Sequence, residues 1–414
     1  MKITNLTAVL FIAGASAAAA QMSAAELDGK ARAIHDKVMA LDTHVDIPLD
    51  YATPAMDPGG FTAGQVDLPK MRAGGLDAAF FIVYTPQGPI TPEGFAEARR
   101  VANTRIEAIH RMADAYPRDI AIARSASDAE KIARSGRKIA FIGMENSYPL
   151  GASLVDVEKW HARGVRYMGI THFGHNQFGD SANPDTERGD PEEQHGGLSP
   201  LGRELVGALG RAGIIVDVSH AGRKTMMQAA LLSAAPVIAS HSAARALADS
   251  PRNLDDEQLR ALAANGGVAQ IVALDAYVKP LNAEQEALRD TIRKEMGLES
   301  AAVRAAMPPE TEALYKERLK GLWEIAPRAT LSDFVDHIEY AVKVAGIDHV
   351  GIASDFDGGG GVDGWNDASE TFNVTRELVR RGYTQEEIEK IWSGNLLRVL
   401  QDVEKTAKEL QKKQ

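Results

Sequence analysis

Two apolar stretches of this 414-residue chain end in the same polar pair: IIVDVSHA (214–221) reaches Ser219-His220, and PVIASHSA (236–243) reaches Ser240-His241. An apolar run that ends in imidazole reads as a buried strand with a reactive tip. Four further runs end in ionisable groups: His44 with Asp46, Glu145, His172, and Asp355 with Asp357. His44 and Asp46 are two apart, and side chains two apart in a strand share a face. Four imidazoles and several carboxylates on one rim would be desolvated or would repel one another without a partner. A divalent metal supplies that partner. Imidazole with carboxylate oxygen suits zinc best, with manganese and iron as alternatives. Neighbouring strands lie about 4.8 Å apart, so His220 and His241 can share one ion. The chain has no cysteine, so any metal must use His, Asp, Glu or backbone oxygen.

The elements that must carry these groups are legible as eight apolar runs of strand length. They span 38–47, 77–85, 138–146, 165–173, 214–220, 236–242, 266–274 and 349–357. Most are continuous and not alternating, which suits strands buried on both faces of a parallel sheet. Helix-like stretches lie at 94–117, 153–164, 199–213, 254–267 and 384–410. The stretch at 199–213 opens Ser199-Pro200 and closes at Gly213, and the one at 153–164 opens on Ser153 as a cap. Eight β-then-α units predict an α/β fold of (β/α)8 barrel type, with the active site at the C-terminal ends of the strands. An open doubly wound sheet is the alternative, but no G-x-G-x-x-G follows the first strand.

Residues 275–330 break this rhythm between strands seven and eight. They are charged and helical, with Pro308-Pro309, and read as an insertion at the barrel mouth. A polar loop at 179–200 follows the fourth strand; His175 and His195, in or near it, read as non-ligands. Asp357 and the Gly-rich 358–361 read as a flexible loop at the rim, with Asp357 a candidate substrate contact. A net charge of −11 argues against nucleic acid as a partner. The opening MKITNLTAVLFIAGASAAAAQ has a lysine, a short apolar stretch and small residues before Gln21. It reads as a signal peptide over 1–20, too short to span a membrane, with a single domain over 21–414. Export without disulfides fits a periplasmic or secreted protein with no membrane anchor after cleavage.

Taken in order, DTHVDIP, GMEN, THFGHN, DVSH, ASHS, PRNLDD and GIASDFDG resemble the renal-type membrane dipeptidases, peptidase family M19 of the amidohydrolase superfamily. The resemblance covers nearly the whole mature chain. It implies a zinc dipeptidase with two Zn2+ ions, one on His44 and Asp46 and the other on His220 and His241, bridged by Glu145 and a hydroxide that attacks the peptide. It implies that His172 polarises the scissile carbonyl. Asp355 would carry the proton to the leaving amine, and Arg252 would hold the substrate's C-terminal carboxylate. From its neighbours alone, Arg252 reads as a surface residue pairing with Asp255 or Asp256. The resemblance further implies tolerance of a D-residue at the C-terminal position and a homodimer. The competing readings are a related hydrolase acting on a lactone, phosphoester or N-acyl amide, which should lack Arg252, and a non-catalytic metal-binding protein, which should lack a ligand or Asp355. The charged C-terminus and absent cysteines depart from the anchored mammalian members.

Overall fold

The computed structural model describes residues 22–300, 303–304 and 307–413. The segment read as a signal peptide lies outside them. Nine parallel strands follow in chain order: β1 (Leu41–Val45), β2 (Ala78–Tyr84), β3 (Ile120–Ile122), β4 (Lys138–Glu145), β5 (Val165–Gly169), β6 (Ile215–Asp217), β7 (Ile238–Ser242), β8 (Val268–Val272) and β9 (Val350–Ala353). Eight of them line up β1-β2-β4-β5-β6-β7-β8-β9, and β3 pairs with β4 outside that path. The ring closes where Val45 bridges Phe356 and the Asp46 N–H donates to the Phe356 carbonyl at 2.9 Å. The fold is a (β/α)8 barrel, as the alternation of runs predicts. β3 was not foreseen, because three residues are too few to read as an apolar run.

Strand parity separates two packed clusters. Ala78, Phe80, Ile82, Ile139 and Phe141 join Tyr167, Ile215, Ile238 and Val268. Their alternates Ala79, Phe81, Val83, Ala140 and Ile142 pack with the surrounding helices. The first set fills the barrel, and Leu396, Val399, Leu400 and Val403 of the last helix pack onto it. Inside, the Phe80 ring stacks on Phe141 at 4.7 Å and on Tyr167 at 5.0 Å. Truncating such a buried ring to alanine costs about 3–5 kcal/mol. Gly143 makes room for this layer: a Cβ there would collide with the Tyr167 ring. Glu145 shares the parity of Phe141 and Gly143, so it points into the barrel mouth.

The helix Pro200–Ala212 has the expected ends, with the Ser199 hydroxyl accepting from Gly202 N–H and Gly213 left-handed at φ 81°. The helix expected from Ser153 begins later, at Val157, with Asp156 as its N-cap. The Ser153 hydroxyl accepts only from Val155 N–H, closing a local turn in place of a helix cap. The stretch 384–410 is two helices, Gln385–Glu389 and Asn395–Gln411, joined by a π turn at Lys390–Gly394. Between β8 and β9, ahead of the helix Leu331–Ala345, the described residues include helices Asp275–Val278, Ala283–Glu295, Pro309–Leu319 and Leu322–Ile325. Among the described residues no helix is long and apolar enough to cross a membrane.

Candidate metal centre and active site

The ionisable groups from six strand ends converge on Glu145. Its Oε2 lies 3.7 Å from His44 Nε2. Its Oε1 lies 3.0 Å from His220 Nε2, 3.4 Å from His241 Nε2 and 3.9 Å from His172 Nε2. His44 Nε2 is also 3.6 Å from Asp46 and 3.9 Å from Asp355. The Nε2 atoms of His220 and His241 face each other at 2.9 Å. Three groups of three residues have ligand atoms within 4.8 Å of one another: His44, Glu145 and His241; Glu145, His172 and His220; and His44, Asp46 and Asp355.

Straight strands do not produce this convergence. The pairing register slips between Asp42 and Val45 in β1, and again between Ala239 and Ser242 in β7. Such irregularities re-aim side chains, here His44 and His241. His220 stands three residues past β6 with φ 64°, and Asp355 follows β9 with φ 60°. Left-handed backbone in a non-glycine residue is strained, and it persists where the surroundings dictate it. Two buried carboxylates replace ladder bonds where the strands part. Asp42 accepts from the N–H of His44 at 3.1 Å and of Ser354 at 2.9 Å. Asp217 accepts from the N–H of Ser219 at 3.0 Å and of Ser240 at 2.9 Å.

The hydrogen bonds behind two rings fix their tautomers. The Tyr167 hydroxyl donates to the Thr43 carbonyl at 3.1 Å, so it accepts from His44 Nδ1–H at 2.9 Å. The Ser240 hydroxyl donates to Asp217 Oδ2 at 2.8 Å, so it accepts from His241 Nδ1–H at 2.8 Å. Both rings are left with a bare Nε2 lone pair directed at Glu145. His44 Nε2 is buried and has no hydrogen-bond partner. An orphaned lone pair beside carboxylate oxygens is what a cation would satisfy, so the residues present fit a divalent metal of zinc type.

Electrostatics treats the rings differently. Burial favours a neutral His44, yet Glu145 and Asp46 outweigh it and hold the imidazole well above its usual pKa. Burial would raise Glu145, but His172 and His44 hold it well below the carboxylate range. Burial, with Arg252 adding to it, drives His220 well below the usual imidazole value. Burial drives Asp355 well above the carboxylate range, and Asp46 and Glu145 add to that. Burial thus keeps His220 in the neutral form that binds a metal, whereas the carboxylates around His44 favour a positive charge at its Nε2, the charge a cation would supply in place of a proton.

A cavity of about 960 Å3 opens onto these groups, lined by Asp46, Glu145, His172, His220, His241 and Asp355. The insertion reaches it through Tyr277, Glu312 and Lys316. Arg252 is buried and not on the surface. Its Nη2 donates to the His241 carbonyl at 3.1 Å, and its guanidinium stands 5.2 Å from the Tyr277 ring centre. Asp255 and Asp256 are taken instead by Arg223 at 2.7 Å and Arg260 at 3.1 Å.

Several polar residues do not join the centre. His175 accepts from Ser181 N–H at 3.0 Å and reaches the Pro191 carbonyl at 2.9 Å; His195 reaches the Asn176 carbonyl at 2.9 Å. Asp357 accepts from Gln65 N–H at 2.8 Å and Val66 N–H at 3.3 Å, clamping the 57–66 loop. The Gly-rich 358–361 is not the flexible loop expected. Gly360 and Gly361 N–H groups donate to Asp355 and Ala273 carbonyls at 2.7 and 2.6 Å. A Cβ on Gly358 would collide with the Asp46 and Asp355 carboxylates. Gly358 and Gly360 answer close approach, and Gly359 and Gly361 answer left-handed backbone at φ 125° and 105°. Tyr167, Asp217 and Asp42 escaped the sequence reading of the site, although DTH and DVSH contain both aspartates.

The model of the membrane dipeptidase family, peptidase family M19, matches residues 29–414. The chain belongs to the M19 family. The dipeptidase aclJ of Aspergillus oryzae is 32% identical over 352 residues, 84% of this chain and 72% of that protein. The crystal structure of the probable dipeptidase PvdM from Pseudomonas aeruginosa superposes with a TM-score of 0.83 at 37% identity, covering 93% of this chain and 100% of that one. A Rhodobacter sphaeroides metallopeptidase liganded with a phosphinate mimic of L-Ala-D-Ala shares the fold at 24% identity and a TM-score of 0.67, covering 88% of this chain and 99% of that one. As an M19 protein the chain is a metallo-dipeptidase, with grouped His, Glu and Asp residues able to hold metal.

Proposed function

We propose that this M19 chain hydrolyses dipeptides with a free C-terminal carboxylate at a two-zinc centre, and accepts a D-residue at the C-terminal position. The observation that carries this reading is the split of Glu145: Oε2 faces His44, while Oε1 faces His220 and His241. A carboxylate with one oxygen toward each set is the geometry of a bridge. His44 and Asp46 would hold one ion, and His220 and His241 the other. Bound zinc would supply Lewis acidity, lowering the pKa of water and polarising a carbonyl.

The protein's own groups do the rest. Asp355, 3.9 Å from His44, takes the proton of the attacking water and returns it to the leaving amine. His172 closes the opposite side of the centre, held between Tyr84 and His220 at ring distances of 4.7 and 4.2 Å, and donates to the oxygen on which charge develops. Arg252 offers a guanidinium to the substrate carboxylate. A signal peptide would place the mature enzyme in the periplasm or outside the cell, and the family resemblance supports a homodimer.

The test is a panel of L,L and L,D dipeptides with C-terminally amidated controls, assayed on zinc-loaded protein. Free dipeptides should be cleaved and amidated ones should not. Loss of the L,D set alone would remove the stereochemical claim. Cleavage of amidated peptides at equal kcat/KM would remove Arg252 as the anchor. Failure of every free dipeptide would move the search to lactones, phosphoesters and N-acyl amides.

A further inference from the structure

The active-site cavity is lined by a guanidinium that is in no ion pair among the described residues, that of Arg105. Arg105 projects from the middle of the helix Pro92–Ala115 and lines the cavity wall. Its Nε donates to the Ile47 carbonyl at 3.1 Å and its Nη1 to the Tyr84 carbonyl at 2.9 Å. Those two bonds hold the head group against the ends of β1 and β2 and leave Nη2 uncommitted. Among the described residues no carboxylate comes within 4.0 Å of it. The other charged residues at the wall are already engaged. Lys316 is paired with Glu312 at 2.7 Å, and Asp357 is spent on two backbone N–H groups. The acids whose charge reaches Arg105 are Asp46 and Glu145, neither of them in contact with it, and both are groups that a bound metal would claim, which would leave the half-buried guanidinium to a ligand.

Its position relative to the chemistry says which part of a substrate would do so. Arg252 is anchored on β7, through the His241 carbonyl. Arg105 is anchored on β1 and β2, and three steps of the ring, β7-β8-β9-β1, separate the two anchors. The two guanidiniums are therefore held from different parts of the rim, Arg105 from β1 and β2, beside the strand that carries Glu145, and Arg252 from β7. If Arg252 takes the C-terminal carboxylate, Arg105 faces the residue on the acyl side of the scissile bond. The cavity, at about 960 Å3, sits at the upper end of the range for small-ligand pockets and leaves room for a long side chain there.

We infer that Arg105 forms an anionic subsite for the N-terminal residue, so that the preferred substrates are dipeptides whose first side chain carries a carboxylate. This rests on the dipeptidase reading and extends it to a substrate class. Neither the negative net charge of the chain nor its other cavity groups would select such a substrate; Arg105 alone supplies the attraction. A guanidinium holds a carboxylate by charge-assisted, directional hydrogen bonds, which a neutral amide of the same shape cannot match.

The test compares Glu-Ala, Gln-Ala and Ala-Ala as substrates of the zinc-loaded enzyme, since Glu and Gln differ in charge and scarcely in shape. The unaltered enzyme should favour Glu-Ala over Gln-Ala in kcat/KM by about tenfold. Arg105→Met should bring that ratio near one, and Arg105→Lys should keep part of it. Because Arg105 also ties down two loops, the ratio in the unaltered enzyme decides the matter if the variants fail to fold. Its decline with added salt is the second readout. Cleavage of Gln-Ala and Ala-Ala with no advantage for Glu-Ala would overturn the subsite and leave the dipeptidase reading standing. A preference for Glu-Ala that survives Arg105→Met would overturn the assignment to Arg105. Cleavage of none of the three would overturn both.

Discussion

The hydroxyl of Tyr167 lies 2.9 Å from Nδ1 of His44 and spends its own proton on the Thr43 carbonyl. A tyrosine in the middle of the barrel thereby dictates which nitrogen of a rim histidine is free. Groups that orient a metal-binding imidazole in this way typically change affinity by about 10–100-fold when removed. Tyr167→Phe keeps the ring that stacks on Phe80 and removes only the acceptor. Zinc affinity, measured by competition with a chelator, should fall by about 10-fold or more with the circular dichroism spectrum unchanged. Unchanged affinity would mean that His44 needs no such support.

Gly358 abuts both Asp46 and Asp355. Its backbone is not left-handed, so alanine is tolerated by the chain itself and opposed only by those two carboxylates. Gly358→Ala should displace one of them, lowering metal content and turnover together while thermal melting of the metal-free protein moves little. Full metal occupancy and activity in that variant would show that the loop yields freely.

Asp355 approaches His44 yet stands apart from His220 and His241, and its proposed work is proton transfer. Asp355→Asn should bind zinc in the same stoichiometry and lose roughly 10²–10⁴-fold in kcat. Metal analysis beside steady-state kinetics checks this. Retained turnover would remove Asp355 from that role.

Far from the centre, His161 on the helix Val157–Ala162 is half-buried, and burial lowers its pKa to about 4, with Arg166 and Arg124 adding to the effect. The unfolded chain binds a proton there near pH 6.5, the native chain only near 4. Between these values the unfolded state holds more protons, so stability falls as the pH drops through that window. His161→Gln removes this dependence. The melting temperature of the unaltered protein should fall relative to the variant below pH 6.5, with a constant difference above pH 7. Parallel curves throughout would exclude His161 as a source of acid sensitivity.

Much of this arrangement was legible in the chain. Apolar runs ending in His44, Glu145, His220, His241 and Asp355 announced both the barrel and the rim, because a single imidazole at a strand tip can be structural but so many ionisable groups on one rim need a shared partner. The fine geometry was hidden for two reasons. Strand periodicity assumes regular backbone, whereas His44 and His241 are aimed by register slips, and His220 and Asp355 by left-handed backbone. Helical pattern marks Arg105 only as a polar position on an amphipathic helix; that its head group reaches the β1 and β2 ends depends on tertiary packing. Gly358 to Gly361 misled in the other direction, since glycine signals freedom and close approach with the same letter. The Ser153 cap failed because a Ser near an apolar run also suits a turn, and the helix begins four residues later with no side-chain cap bond at all.

The most direct test of the whole account is the release of free amino acids from L-Ala-L-Ala before metal stripping, after it, and after reloading with zinc. The account predicts hydrolysis that disappears with the metal and returns on reloading, with two ions bound per chain at full activity. Full activity in stripped protein, or none in a chain carrying both ions, would contradict it.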